Sequence, residues 1–276
     1  MVNHAWVLTP SPFRIYEGMP DTALEYLAGS SVRPATLAAF REHGRLSLRN
    51  LDDRVSASRR TLKRTLTTME SRGWIRRVDG VYEFTALGDA IFDAYETFRD
   101  RERLAERVRP FLEHTPAEAF DLDIDALADA NVVAPDDDPT APVDRLMELR
   151  AEAARLREYA PFLLIDSVRQ LAARVDNGQS APDVTLVLET GRPGGTTPEY
   201  RERFETLASA PSVDICRYPD GVPFAFGVAD GHAFIGAADL DGMPCALLEG
   251  DSPELVAWVE RTLDDYLDAA KPLTPE

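Results

Sequence analysis

An α+β fold built as two unlike halves is what the sequence predicts, on three observations. Up to about residue 113, apolar residues recur at helical spacing, broken by one short β-rich segment. Beyond residue 142, short runs rich in Val, Ile and Leu alternate with amphipathic stretches. Between the two lies an acidic segment whose Pro135-Asp136-Asp137-Asp138-Pro139 is a loop signal. The chain of 276 residues is long enough for two ordinary domains. The expected division is a mostly helical domain over 1–113, an acidic linker over 114–142 and an α/β domain over 143–276.

In the first half, Asp21 to His43 reads as helical with a break near Gly29 and Ser30, and Leu37, Ala38 and Phe40 form a short apolar face ending at Gly44. Ser47 can cap a helix through Val55 that buries Leu48, Leu51 and Val55. A tight turn at Ser56-Ala57-Ser58 follows, and Ser58 can cap the next helix. There Leu62, Leu66 and Met69 share one side, leaving Arg59, Arg60, Lys63, Arg64 and Thr67 on the others. After Gly73, the runs Trp74–Val78 and Val81–Phe84 flank Asp79-Gly80, a strong local signal for a hairpin. A long helix is then expected from Thr85 to Leu112, its apolar residues Ile91, Phe92, Tyr95, Phe98, Ala105, Val108 and Leu112 recurring near a 3.5-residue period around a charged patch at Arg99–Arg103.

In the second half, helices are expected from Val143 to Tyr159 and from Pro161 to Val175. A buried strand at Val184–Glu189, a helix at Pro198–Ser209 and a strand at Val213–Arg217 follow. Short strands at Phe224–Val228, Ala233–Ala237 and Ala246–Glu249, with turns at Asp230-Gly231 and Asp241-Gly242, precede an amphipathic helix from Pro253 to Ala269.

Charge is divided as sharply as structure. The formal net charge is -18, yet residues 1–113 hold 18 Lys/Arg against 16 Asp/Glu and residues 114–276 hold 12 against 32. Residues 41–77 carry 11 basic and 4 acidic residues, a local basic patch on an acidic protein. Only Lys63 and Lys271 are lysines. Arginine with abundant carboxylate resembles the surfaces of salt-loving archaeal proteins, where multimolar salt shortens the Debye length to about 3 Å; an acidic protein of a high-GC organism is the alternative. No apolar run approaches the length of a membrane span, and the first residues lack a leader's basic and apolar regions. With Cys216 and Cys245 as the two cysteines, a reducing cytoplasm is expected and a disulfide framework is not.

The order helix, short helix, turn, basic helix, Asp-Gly hairpin matches the parts of a winged helix-turn-helix. In that architecture the second helix enters the major groove and hairpin arginines reach the flanking backbone. Double-stranded DNA is accordingly the expected partner. Ser58, Arg59, Arg60, Thr61, Lys63 and Arg64 would lie on the groove-facing helix, with Arg76 and Arg77 on the wing. Arginine suits guanine O6/N7 and phosphate because its fork donates two bonds at once. A small helical domain with a solvated arginine face is the alternative.

The segment LSLRNLDDRVSASRRTLKRTLTTMESRGWIRRVDGVYEFTALGDAI resembles the DNA-binding half of archaeal winged-helix regulators related to the ArsR and MarR-type folds. DLDIDALADANVVAPDDDPTAPVDRLMELRAEA, YPDGVPFAFGVADGHAFIGAADLDG and LLEGDSPELVAWVERTLDDYLDAA resemble the sensor half of haloarchaeal transcription regulators, the group sharing the methanogenesis-regulator middle domain. Together these cover most of residues 33–269. The resemblance implies a homodimeric DNA-binding regulator whose C-terminal domain dimerises or senses a signal. Gly191-Arg192-Pro193-Gly194-Gly195 departs from the pattern, so no ligand is carried over.

Further expectations follow from the residues. Arg192, Gly194, Gly195, Thr196 and Thr197 lie between a strand and a helix, where loose backbone N–H groups and the helix dipole collect anions, and Tyr218, Phe224 and Phe226 could wall an apolar pocket for a small-molecule effector. An ordinary loop is the alternative, since neither G-x-G-x-x-G nor a Walker lysine is present. Ile91, Tyr95, Phe98, Val108 and Leu112, with Ala105, form the expected dimer seam. No enzyme, metal or cofactor is expected: the four histidines are scattered, His232 reads as a solvated turn residue, and Asp121, Asp123 and Asp125 are ordinary in so acidic a chain. Cys216 and Cys245 would form a redox pair only on neighbouring strands. The rival to a regulator is a small-molecule or protein-interaction module with a vestigial helix-turn-helix.

Overall fold

The computed structural model describes residues 22–135, 138–176, 181–190, 195–219, 221, 225–239 and 244–273. It is a mixed α+β structure that divides into two compact units, residues 1–100 and 101–276.

The first unit begins with α1 (Ala23–Ala28), started by Thr22 and Glu25, which satisfy each other's backbone N–H in a capping box. After α2 (Val32–His43), Gly44 takes φ 71° to turn the chain away. α3 (Leu48–Asp52) is capped by Ser47, and α4 (Arg59–Ser71) by Ser58, whose hydroxyl accepts from the Thr61 N–H. Gly73 closes α4 at φ 74°. β1 (Ile75–Val78) and β2 (Val81–Phe84) pair antiparallel around Asp79 and Gly80 at φ 51° and 85°, the two positive angles a type I′ turn requires. α5 (Ala86–Arg107) follows. Leu37, Phe40, Leu51, Leu62, Leu66, Met69, Trp74, Ile75 and Phe92 form one buried core. Gly88 lets α5 lie against the hairpin's root, since a Cβ there would sit 1.9 Å from the Trp74 carbonyl oxygen.

The second unit is built on an eight-stranded mixed sheet among the described residues. Its strands are β3 (Asn131–Val133), β4 (Arg155–Ala160), β5 (Asp183–Glu189), β6 (Val213–Tyr218), β7 (Phe226–Ala229), β8 (His232–Ala238), β9 (Pro244–Gly250) and β10 (Lys271–Pro272), in the order β10-β6-β5-β4-β7-β8-β9-β3. β4, β5 and β6 are parallel, and the other pairings are antiparallel. α6 (Arg109–Leu112) and α10 (Pro253–Ala269) contribute to a core on one face that contains Phe111, Tyr159, Phe226 and Trp258. α7 (Ala141–Glu152), α8 (Ile165–Asp176) and α9 (Pro198–Ala208) cover the other face, over Leu156, Leu186 and Phe234.

Several expectations give way here. The helix read from Val143 to Tyr159 ends at Glu152, and 155–160 is strand β4. Leu156, Glu158, Tyr159 and Ala160 are buried between β5 and β7, and sheet pairing overrides their local helical preference. The stretch 114–142, read as a linker, instead contains β3 and two 3-10 turns at 117–119 and 124–127, because Leu127 and Ala130 are buried in the second unit's core. The helix read as continuous to Leu112 breaks at Val108 (φ -94°, ψ 10°), ahead of Pro110. Phe224 and the turn at Asp241-Gly242 lie outside the described residues. No helix among the described residues is long and apolar enough to cross a membrane.

Candidate nucleic-acid interface

The surface of α4 follows from its sequence period. Leu62, Thr65, Leu66 and Met69 face the core, which leaves Arg59, Arg60, Lys63, Arg64 and Thr67 in solvent around an open concavity of about 600 Å³ completed by Leu48 and Thr68. The nearest ion-pair contact along this face joins Arg59 Nε to Asp52 at 3.9 Å. Among the described residues no carboxylate lies within ion-pair distance of Arg60, Lys63 or Arg64. Ser58 and Thr61 are occupied in starting the helix, their hydroxyls 2.9 Å apart. Arg41 ties α2 to α5 through Asp89 and Glu96 at 2.9 and 2.7 Å, so the surrounding scaffold is internally braced.

The two hairpin arginines differ. Arg77 is exposed and stands over the Tyr82 ring, 5.6 Å from its centroid. Arg76 donates through Nε to Glu83 Oε1 at 2.7 Å, and Arg45 takes the second Glu83 oxygen. The hydrogen bond from Arg76, with the one from Arg45, holds the Glu83 carboxyl below the usual carboxylate range. Neither Arg45 nor Glu83 stood out in the sequence. Register is what joins them: Arg76 opposes Glu83 across the hairpin, and Leu46 bridges Tyr82 by two 2.9 Å backbone bonds that bring Arg45 alongside.

The remaining sequence candidates are distributed as follows. Arg192 and Gly194 lie outside the described residues. Thr197 caps α9, accepting from the Tyr200 N–H; Thr196 is exposed beside it, and Gly195 packs so closely that a Cβ would meet the Tyr200 ring at 2.6 Å. Glu199 already places a carboxylate in the first turn of α9, held below its ordinary range chiefly by hydrogen bonds from Arg169 at 2.7 and 2.8 Å. Phe226 is fully buried, and Tyr218, half-buried, packs edge-on against Tyr266 at 4.8 Å. The expected dimer seam divides likewise: Tyr95 is buried in the first unit's core with Ile91 half-buried against it, Val108 is buried in the second's with Leu112 half-buried against it, and Phe98 stays 49% exposed.

Cys216 on β6 and Cys245 on β9 are five strands apart, about 24 Å at the usual strand spacing, so they form no redox pair. Burial pushes both thiols up. The scattered acids have structural partners: Asp121 accepts from the Trp258 indole at 2.7 Å, and Asp123 and Asp125 receive Arg101. His232, read as a solvated turn residue, places Nε2 3.1 Å from Glu249, which also binds Arg145 at 3.0 Å.

Residues 21–107 match the family model of the HVO_A0261 N-terminal domain, and residues 139–269 match that of the middle domain of the methanogenesis regulatory protein FilR1. Among solved structures, TrmBL2, an archaeal chromatin protein, is similar over 91% of this chain and 97% of that chain, at 13% identity and a TM-score of 0.41. NucT from Helicobacter pylori is similar over 52% of this chain and 98% of that chain, at 12% identity and a TM-score of 0.42. The phospholipase D family member Nuc from Salmonella typhimurium covers 53% of this chain and 98% of its own, at 13% identity and a TM-score of 0.42. Likenesses so remote establish no function. No curated protein matches the chain.

Proposed function

We infer that the chain is a DNA-binding transcription regulator whose first unit is a winged helix-turn-helix. One observation carries this reading: α4 buries one face completely and presents Arg60, Lys63 and Arg64 on the other with no carboxylate neutralising them among the described residues. An arginine face left unpaired in a protein of net charge -18 fits a polyanion, and a helix of that exposure fits the major groove. The matches to a methanogenesis regulatory protein's middle domain and to the HVO_A0261 N-terminal domain support the same reading. In this arrangement the chain has no catalytic role, and its C-terminal unit receives the signal. A mobility-shift assay against genomic fragments at working salt decides it. Preference for a fragment over bulk DNA is expected; the absence of any preference leaves the interaction-module reading.

The regulator acts as a homodimer. With Tyr95 and Val108 committed to intrachain cores, the available seam narrows to Leu87, Ile91, Ala94 and Phe98 of α5, at the 4-3-4 spacing of a coiled-coil stripe, with Leu87 52% and Phe98 49% exposed. A two-fold operator needs two groove-reading helices about 34 Å apart, which a second copy supplies. Light scattering is expected to return twice the chain mass, and Phe98→Asp to return one. An effector at the second unit is screened by its thermal shift, about 2.7 kcal/mol at a hundredfold excess over Kd.

A further inference from the structure

Arg45, Arg76 and Glu83 form a built group that the reading of α4 leaves unused. Among the described residues Glu83 is the one acid buried in the first unit, its side chain 11% exposed between two arginine side chains 64% and 66% exposed. Each arginine approaches through Nε, and each takes a different oxygen of the carboxylate. The two terminal nitrogens of both guanidinium groups have no other partner among the described residues. An arginine anchored at Nε keeps a planar two-nitrogen fork pointing away from the anchor, the geometry that grips a phosphate bidentately. Both forks are mounted on hydrogen-bonded backbone. Arg76 lies on β1 opposite Glu83, and the Leu46–Tyr82 bridge fixes the residue after Arg45 to β2.

We propose that Arg45 and Arg76, aimed by Glu83, form a two-guanidinium site for a backbone phosphate of the bound DNA, with Glu83 as its positioning residue. This rests on the DNA-binding reading. The physical consequence is a reversal of sign. Removing an acid from a DNA-binding surface ordinarily tightens binding, because it adds to the favourable field. Removing Glu83 releases two long side chains to solvent, restores their rotamer entropy, and so weakens contact with DNA.

The test measures affinity of the full-length protein for its preferred fragment and for bulk DNA over a salt series. Arg45→Ala and Arg76→Ala are each expected to flatten the log-log salt slope by about one unit. Glu83→Gln is expected to weaken binding to both DNAs, with Glu83→Asp recovering part of the loss. The exposed acid Glu70 of α4 is the control, and Glu70→Gln should tighten both. Thermal melts identify any variant that has lost its fold, and the two arginine variants, exposed and on the surface, carry the test if Glu83→Gln has. The site is overturned if Glu83→Gln tightens both DNAs as Glu70→Gln does, or if neither arginine variant changes the slope. If the wild-type protein binds no DNA, the site falls together with the DNA-binding reading, a distinct result.

Discussion

In the first unit the guanidinium groups of Arg60 and Arg64 stand in solvent with no carboxylate in ion-pair range among the described residues. In the second, Arg150 is buried and divides its donors between Glu158, bound bidentately, and Ser167 at 2.7 Å. Arg145 and Arg169 follow the second pattern, reaching Glu249 and Glu199. One side chain thus serves two purposes in one chain. On α4 it stands without an acid in range; on α7 it has one and latches the helix to the sheet, Arg145 to β9 and Arg150 to β4. Net charge misleads about partners unless it is resolved by position.

The sharpest way to break this comparison is to remove Arg150. Breaking a buried pair strands Glu158, fully buried, without its cation, and should destabilise the protein by about 3–5 kcal/mol. Replacing both partners, Arg150→Met with Glu158→Leu, should restore most of that stability. Urea titration measures both, and a cost below about 1 kcal/mol for Arg150→Ala would mean the pair is not the latch described. In the first unit the pattern inverts. Arg60→Ala and Arg64→Ala should move stability by no more than about 0.5 kcal/mol yet lose about 1–3 kcal/mol of DNA affinity. A large stability change in either would show that the face is structural. Between these lies Ser58→Ala, which removes the cap of α4 and should cost about 1 kcal/mol of unfolding free energy.

What the sequence disclosed follows from the range of the interactions involved. The caps at Ser47 and Ser58, the Asp79-Gly80 turn and the two faces of α4 are local, set by neighbours within four residues, and were legible. β4 was misread because its strand character is imposed by β5 and β7, tens of residues away, and because Glu158 looks like a surface residue until Arg150 is placed on it. Arg45 and Glu83 were invisible for the same reason: nothing joins residues 45, 76 and 83 except hairpin register and one bridge. The seam on α5 showed the right period, but period does not say which residues the chain's own cores will take.

The smallest predicted effect concerns an acid that is neither buried nor paired with arginine. Asp230, in the turn between β7 and β8, accepts backbone N–H bonds from Ala154 at 2.9 Å and Arg155 at 2.8 Å, and these two bonds hold its carboxyl below the ordinary aspartate value. A carboxylate depressed in the folded state stabilises the protein fully above its unfolded value, near 4, and loses that contribution as pH falls through the lower folded value. Asp230→Asn keeps the side chain's size and tolerates the turn's φ of 51°, but removes the charge that accepts both bonds. The stability gap between wild type and Asp230→Asn should therefore be constant near neutral pH and close progressively below about pH 4. Thermal melts at stepped pH measure it. A gap that persists unchanged into strong acid would assign the Asp230 contribution to shape instead of charge.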